Sequence, residues 1–166
     1  MVHSGQRAAF VGATGAGKTT IISLMCRFYD VQRGTILVDG VDIKNIRQKD
    51  LRRHVGMVLQ DVFLFSGTIL DNIRLWSDSI SEDEARAATT SVNALRFIEK
   101  LPEQLQTVLG ERGNTLSVGQ RQLLAFARTL AHDPAILVLD EATSNIDTET
   151  ELLIQDALEK LMAGRT

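Results

Sequence analysis

One octet near the start of the chain limits what it can fold into more than any other feature. Gly12-Ala13-Thr14-Gly15-Ala16-Gly17-Lys18-Thr19 fits the pattern G-x-x-x-x-G-K-S/T, and Thr20 follows it. The apolar run Ala8-Ala9-Phe10-Val11 precedes it, and Ile21, Leu24, Met25 and Phe28 repeat behind it at helical spacing. The octet therefore stands between an expected strand and an expected helix. Glycines let consecutive backbone N–H groups of such a loop turn inward. Together with the positive end of the following helix, these groups cradle phosphate oxygens. In that arrangement Lys18 reaches the β and γ phosphates and the Thr19 hydroxyl ligates Mg²⁺. A plain flexible turn is the alternative, and the strand and helix flanks argue against it.

Residues 34–40 have β-branched content and bounding glycines, with a turn at Asp39-Gly40 leading to Val41-Asp42-Ile43, so a small hairpin is expected. Residues 55–59 read as a strand. Ser81 and Glu84 have capping-box spacing ahead of Ala85, Ala88, Val92 and Leu95 on one helical face. A helix is expected over residues 120–131, stopped by Asp133-Pro134, and the unbroken apolar run at 135–139 suits a buried parallel strand. Thr148 and Glu151 open a last helix through Leu153, Ala157, Leu158 and Leu161, with Gly164 as its cap. Strands alternating with helices imply an α/β fold with a mostly parallel sheet.

The apolar run at 135–139 ends in Asp140-Glu141. The carboxyl end of a parallel strand is where such sheets bind ligands. There Asp140 suits Mg²⁺ held through water, and Glu141 suits a base that orients and deprotonates an attacking water. Leu116-Ser117-Val118-Gly119-Gln120 stands at the start of another helix and makes a second candidate anion site. One chain does not easily fold two helix N-termini onto one γ-phosphate, so a second copy supplying this loop across a symmetric interface is the simpler arrangement.

Composition removes other classes. Lys+Arg 18 against Asp+Glu 21 leaves a net charge of −3, with no global positive field for nucleic acid. Cys26 is the single cysteine, which excludes an internal disulfide and a cysteine-rich zinc site. No apolar run approaches the roughly 18 residues of a spanning helix, and the first residues lack the order of a signal peptide.

Taken together these residues resemble the nucleotide-binding domain of ATP-binding cassette (ABC) transporters, over essentially the whole chain. Residues 12–19 resemble the Walker A loop, residues 136–140 the Walker B strand, and residues 116–120 the family signature. The resemblance implies a P-loop NTPase fold: a RecA-like core at about 1–62 and 134–166, with an inserted helical subdomain at about 63–133 facing the membrane domain. It implies ATP and Mg²⁺ as ligands. Gly12, Ala13, Thr14, Gly15, Ala16, Gly17, Lys18, Thr19 and Thr20 would hold nucleotide, with Ser117, Gly119, Gln120 and Asp147 acting across a dimer. Thr19, Gln60 and Asp140 would hold the metal, and Glu141, Lys18 and Gln60 would serve catalysis. Gln60 occupies the Q-loop position, and Ser144-Asn145-Ile146-Asp147 resembles the D-loop.

Residues 65–73 and Gly110-Glu111-Arg112-Gly113 resemble the segments around the exporter Q-loop and X-loop, so export is preferred over import. The implied partners are a second nucleotide-binding domain, like or unlike, and a transmembrane domain at the cytoplasmic face of the membrane. Val118 replaces the usual signature glycine, and a β-branched residue resists positive φ. The family's adenine-stacking aromatic and its switch histidine have no counterpart among these residues. The chain therefore reads as the middle of a larger domain, with weak ATP binding and slow turnover expected of it alone. Two other classes compete: a non-catalytic nucleotide-binding half, and a soluble chromosome-maintenance or repair ATPase. The latter carries long coiled coils, and no sustained heptads lie between Gln60 and Leu116.

Overall fold

A computed structural model describes residues 1–59, 61–140 and 148–166. Helix α1 spans Lys18–Met25, strands β1 and β2 span Leu37–Val38 and Val41–Asp42, and helix α2 spans Gln48–Arg53. Strand β3 (Val55–Val58), strand β4 (Gly67–Thr68), and helices α3 (Ile69–Arg74), α4 (Glu82–Ser91) and α5 (Leu95–Ile98) follow. Strand β5 (Val108–Leu109), helix α6 (Val118–Ala131), strand β6 (Ile136–Leu139) and helix α7 (Thr148–Met162) complete the order. No helix among the described residues is long and apolar enough to cross a membrane.

The expected hairpin forms. β1 and β2 pair antiparallel, Val38 opposite Val41, and the turn residues Asp39 and Gly40 both take positive φ, at 50° and 79°. This is the primed-turn geometry whose twist matches the strands it joins. β3 and β6 pair in parallel, from Val55 opposite Ile136 to Val58 opposite Leu139. β4 and β5 form a short antiparallel pair.

The strand expected at residues 8–11 does not form a ladder: Phe10 and Val11 are exposed. A strand exists by its partner. The Ile136 and Asp140 amides donate toward His54 and Val58 of the β3 side, so the Leu137 amide points the other way, where it donates to the Thr166 carbonyl at 2.7 Å. Among the described residues only Thr166 runs along that edge, its own amide donating to the Ala135 carbonyl at 3.2 Å. Residues 8–11 pair with no strand among the described residues.

The core gathers on α6. Phe126, Leu124, Ile69, Ile73, Ile154 and Leu161 are all essentially inaccessible, and they come from α6, α3 and α7. α4 contributes Ala85 and Ala88, with Val92 just beyond it, and its capping box is present: the Glu84 amide donates to the Ser81 hydroxyl at 3.2 Å. α7 buries Ile154, Ala157 and Leu161, one residue away from the expected stripe at Leu153, which is half-buried with Leu158. Gly164 closes α7 at φ 73°. The Thr148–Glu151 capping box rests on a side chain outside the described residues.

Candidate functional site

The glycine octet folds as an open loop that runs into α1. Gly15 and Gly17 sit at φ 84° and 94° with open space where a side chain would be. Gly17 is the N-cap of α1. A Cβ on Gly12 would lie 3.0 Å from that of Ala16, and the Ala16 amide donates to the Ala13 carbonyl at 3.1 Å, which tightens the loop. The first intrahelical bond runs from the Ile21 amide to the Gly17 carbonyl, leaving the Lys18, Thr19 and Thr20 amides at the helix start. No acidic side chain occupies that first turn, so nothing in it competes with an incoming anion.

Lys18 folds back over its own loop. Its Nζ donates to the Gly12 carbonyl at 2.7 Å and the Ala13 carbonyl at 3.2 Å. Carbonyls are weak partners for a full cation. Among the described residues the loop thus fits a phosphate chain: an ammonium resting on backbone carbonyls, helix-start amides with no intrahelical acceptor, and no acidic side chain in the first turn of α1. Thr14, Thr19 and Thr20 are exposed beside it.

Asp140 sits one residue past β6, half-buried, its amide donating to the Val58 carbonyl at 3.0 Å. The β3–β6 register brings Leu59 and Asp140 to the same carboxyl end of the parallel pair. Among the described residues no three His, Cys, Asp or Glu side chains cluster to hold a metal. Gln60, Glu141 and Asp147 lie outside the described residues.

The second anion candidate is organised around a cap. α6 begins at Val118, two residues earlier than expected, with Ser117 as N-cap. The Gln120 amide donates to the Ser117 hydroxyl at 3.2 Å and the Ser117 amide to the Gln120 side-chain oxygen at 3.0 Å, a reciprocal capping box. Val118 adopts a helical conformation, and the positive φ that its side chain resists is not required. Gly119 is buried behind it. No hydrogen bond among the described residues joins the loop at 12–20 to residues 116–120.

Three features escape a reading of the sequence. Arg128, half-buried in α6, donates to the Asn72 backbone carbonyl (2.8 Å), the Asn72 side-chain oxygen (3.1 Å) and the Phe63 carbonyl (3.1 Å), and lies over the Phe65 ring at 5.9 Å. Burial pushes its guanidinium down to about 10. Its signal was a charge four residues after Leu124 on the apolar face. Around it Phe63, Phe65 and Trp76 stack edge-on while each stays at least 40% exposed, beside a cleft of about 90 Å³. Gly113, at φ 60°, gives room to Leu64, which a Cβ there would approach to 2.8 Å. At the far end of α1, burial raises the Cys26 thiol while nearby Arg52 opposes the shift.

A glycine loop opening onto a helix start, in a chain that also carries an acid-ended parallel strand, characterises α/β proteins that grip phosphates through backbone amides. The chain belongs to the ABC transporter family, whose model matches residues 1–144. Domains of this family bind ATP. The chain is 53% identical to the uncharacterized ABC transporter ATP-binding protein YfiC of Bacillus subtilis, over 99% of its own length and 27% of that protein's. It is 51% identical to the probable multidrug resistance ABC transporter ATP-binding/permease protein YheH of the same species, covering 24% of it. Among solved structures, a bacterial Atm1-family ABC exporter with ATP bound superposes with a TM-score of 0.89 at 45% identity, covering 99% of this chain and 29% of that one. The chain spans about a quarter of the length of the relatives it matches.

Proposed function

We propose that this chain binds ATP at residues 12–20 and hydrolyses it to drive export through a membrane domain, working as one half of a head-to-tail pair. One observation carries the reading: among the described residues Lys18 rests on the Gly12 and Ala13 carbonyls alone, beside three helix-start amides with no intrahelical acceptor. A bound β,γ-phosphate offers that ammonium charged oxygens in place of neutral ones, so Lys18 exchanges partners while the Lys18, Thr19 and Thr20 amides orient the phosphates. Thr19, Asp140 and Gln60 would hold Mg²⁺, which would supply positive charge against the phosphate oxygens. Glu141 takes the proton of the attacking water, and Gln60 orients that water. Ser117, Gly119 and Gln120 of a second copy close on the γ-phosphate. The Ser117 hydroxyl, now accepting from the Gln120 amide, becomes the donor in that closure. Asp147 links the paired sites.

The core and helical subdomain divide at about residues 62 and 134. The exposed Phe63–Phe65–Trp76 cluster on the helical side supplies an apolar face for the membrane domain. The helices α3, α4 and α5, none longer than 10 residues, speak against a chromosome-type coiled-coil insertion. The test is titration with a fluorescent ATP analogue and Mg²⁺. Lys18→Ala is expected to weaken binding by about tenfold or more, whereas Glu141→Gln retains binding and abolishes turnover. Binding indifferent to Lys18 would overturn the reading.

A further inference from the structure

Helix α1 carries the phosphate loop yet buries none of its own residues, and no other regular element among the described residues packs broadly against it. Its attachment lies at its far end. There the Phe28 amide donates to the Ser23 carbonyl at 2.9 Å and the Arg27 amide to the Leu24 carbonyl at 3.1 Å, the paired bonds of a Schellman turn. Arg27 holds the left-handed position of that turn, φ 52°, where glycine is the unstrained choice. The arginine side chain gives the strain a purpose. Its Nη1 donates to the carbonyls of Ile43 (3.0 Å) and Ile46 (2.7 Å), and its Nε to the Asp30 carboxylate (2.9 Å).

Arg52, near the end of α2, returns the link. Its Nε donates to the Cys26 carbonyl at 3.1 Å and its Nη2 to the Arg27 carbonyl at 2.9 Å, with the guanidinium 4.9 Å from the centre of the Phe28 ring. The arginine just past α1 thus grips the segment before α2, and one arginine of α2 grips the end of α1. α2 passes through His54 directly into β3, the strand that leads to Gln60.

We infer that Arg27 and Arg52 form a reciprocal clasp that positions the phosphate-loop helix, and are therefore positioning residues for nucleotide binding; this rests on the phosphate reading proposed above. Two cations at the carbonyl end of α1 complement its dipole at the end opposite the phosphates. A helix fixed before the ligand arrives spares the ordering that binding otherwise requires.

The test uses Arg27→Gly, Arg52→Met and Arg52→Lys in the 166-residue chain. Arg27→Gly relieves the backbone, so a residue that only terminates the helix would be replaced at no loss of stability and no loss of affinity. The clasp gives another result. Amide exchange over residues 23–28 of the nucleotide-free chain rises about tenfold while α6 exchange stays unchanged. Affinity for a fluorescent ATP analogue with Mg²⁺ falls about five- to tenfold, a modest size because Arg52 is exposed. Arg52→Met behaves alike, and Arg52→Lys, which keeps the charge but not the fork, falls between. Unchanged affinity in both Arg27→Gly and Arg52→Met overturns the inference, as does exchange that rises equally in α6 and α7. A parent chain whose binding survives Lys18→Ala overturns the phosphate reading itself, so the two failures are told apart by which variant is silent.

Discussion

Helices α1 and α6 both start at candidate anion sites, and they are held in opposite ways. α6 buries eight of its 14 residues and contacts α3, α4 and α7 along its length. α1 buries none of its eight and is tied down by hydrogen bonds at its last turn. A helix packed along its length has one position, set by side-chain volume. A helix held at one end keeps its other end open, with bare amides facing solvent. The same element type therefore serves as a core in one region and as a ligand-binding arm in another.

The contrast is broken most forcefully at Phe126, which is fully buried. Phe126→Ala is expected to destabilise the chain by about 3–5 kcal/mol in urea unfolding, from lost transfer free energy and the cavity left behind. A loss under about 1 kcal/mol would mean that α6 is not the centre of the core. Next is Arg128→Met, expected to cost about 2–3 kcal/mol because the Asn72 and Phe63 carbonyls lose a charged donor. The cation's depressed value gives that effect a sign with pH. The native state releases its proton near 10, before the unfolded chain does, so the strain of burying the charge eases as pH rises above about 10. The parent should therefore widen its lead over Arg128→Met, which does not titrate, in urea unfolding across that range.

Smaller effects sharpen the comparison. Thr68→Ala removes the α3 N-cap and is expected to cost about 1 kcal/mol near neutral pH. The Thr68 hydroxyl and backbone N–H hold the Asp71 carboxyl below its usual range. Its contribution is therefore complete above the ordinary aspartate value and is lost as pH falls through the lower native one. Unfolding of Thr68→Ala and parent at pH 7 and pH 3 should converge. Smallest of all, Ile21→Ala on the exposed side of α1 should change stability by about 0.5 kcal/mol or less. A larger loss there would show that α1 is packed after all.

Much of this was legible in the residues because local chemistry dictated it. The Asp39-Gly40 turn, the Ser81–Glu84 cap and the helix after Lys18 follow from positive-φ tolerance and from side chains that reach backbone amides three residues on. The start of α6 at Val118 has the same origin, since Ser117 and Gln120 have capping spacing. What remained illegible depends on partners distant in sequence. Residues 8–11 look like a strand, and only the neighbouring edge decides whether they pair. Arg128 looks like a solvated helix-end charge until Asn72 and Phe63 arrive from 56 and 65 residues away. Arg27 gives no hint that it stands where glycine is favoured, because its left-handed turn is justified only by carbonyls 16 and 19 residues on.

The single thiol has a use that follows from its place. Cys26 lies beneath the Arg52 contact at the end of α1, 3% exposed and with its ionisation suppressed by burial. An alkylating reagent reaches it only when that turn lifts, so the labelling rate counts the openings of one helix end without any engineered probe. Because the chain has no other cysteine, the readout needs no background correction from a second site.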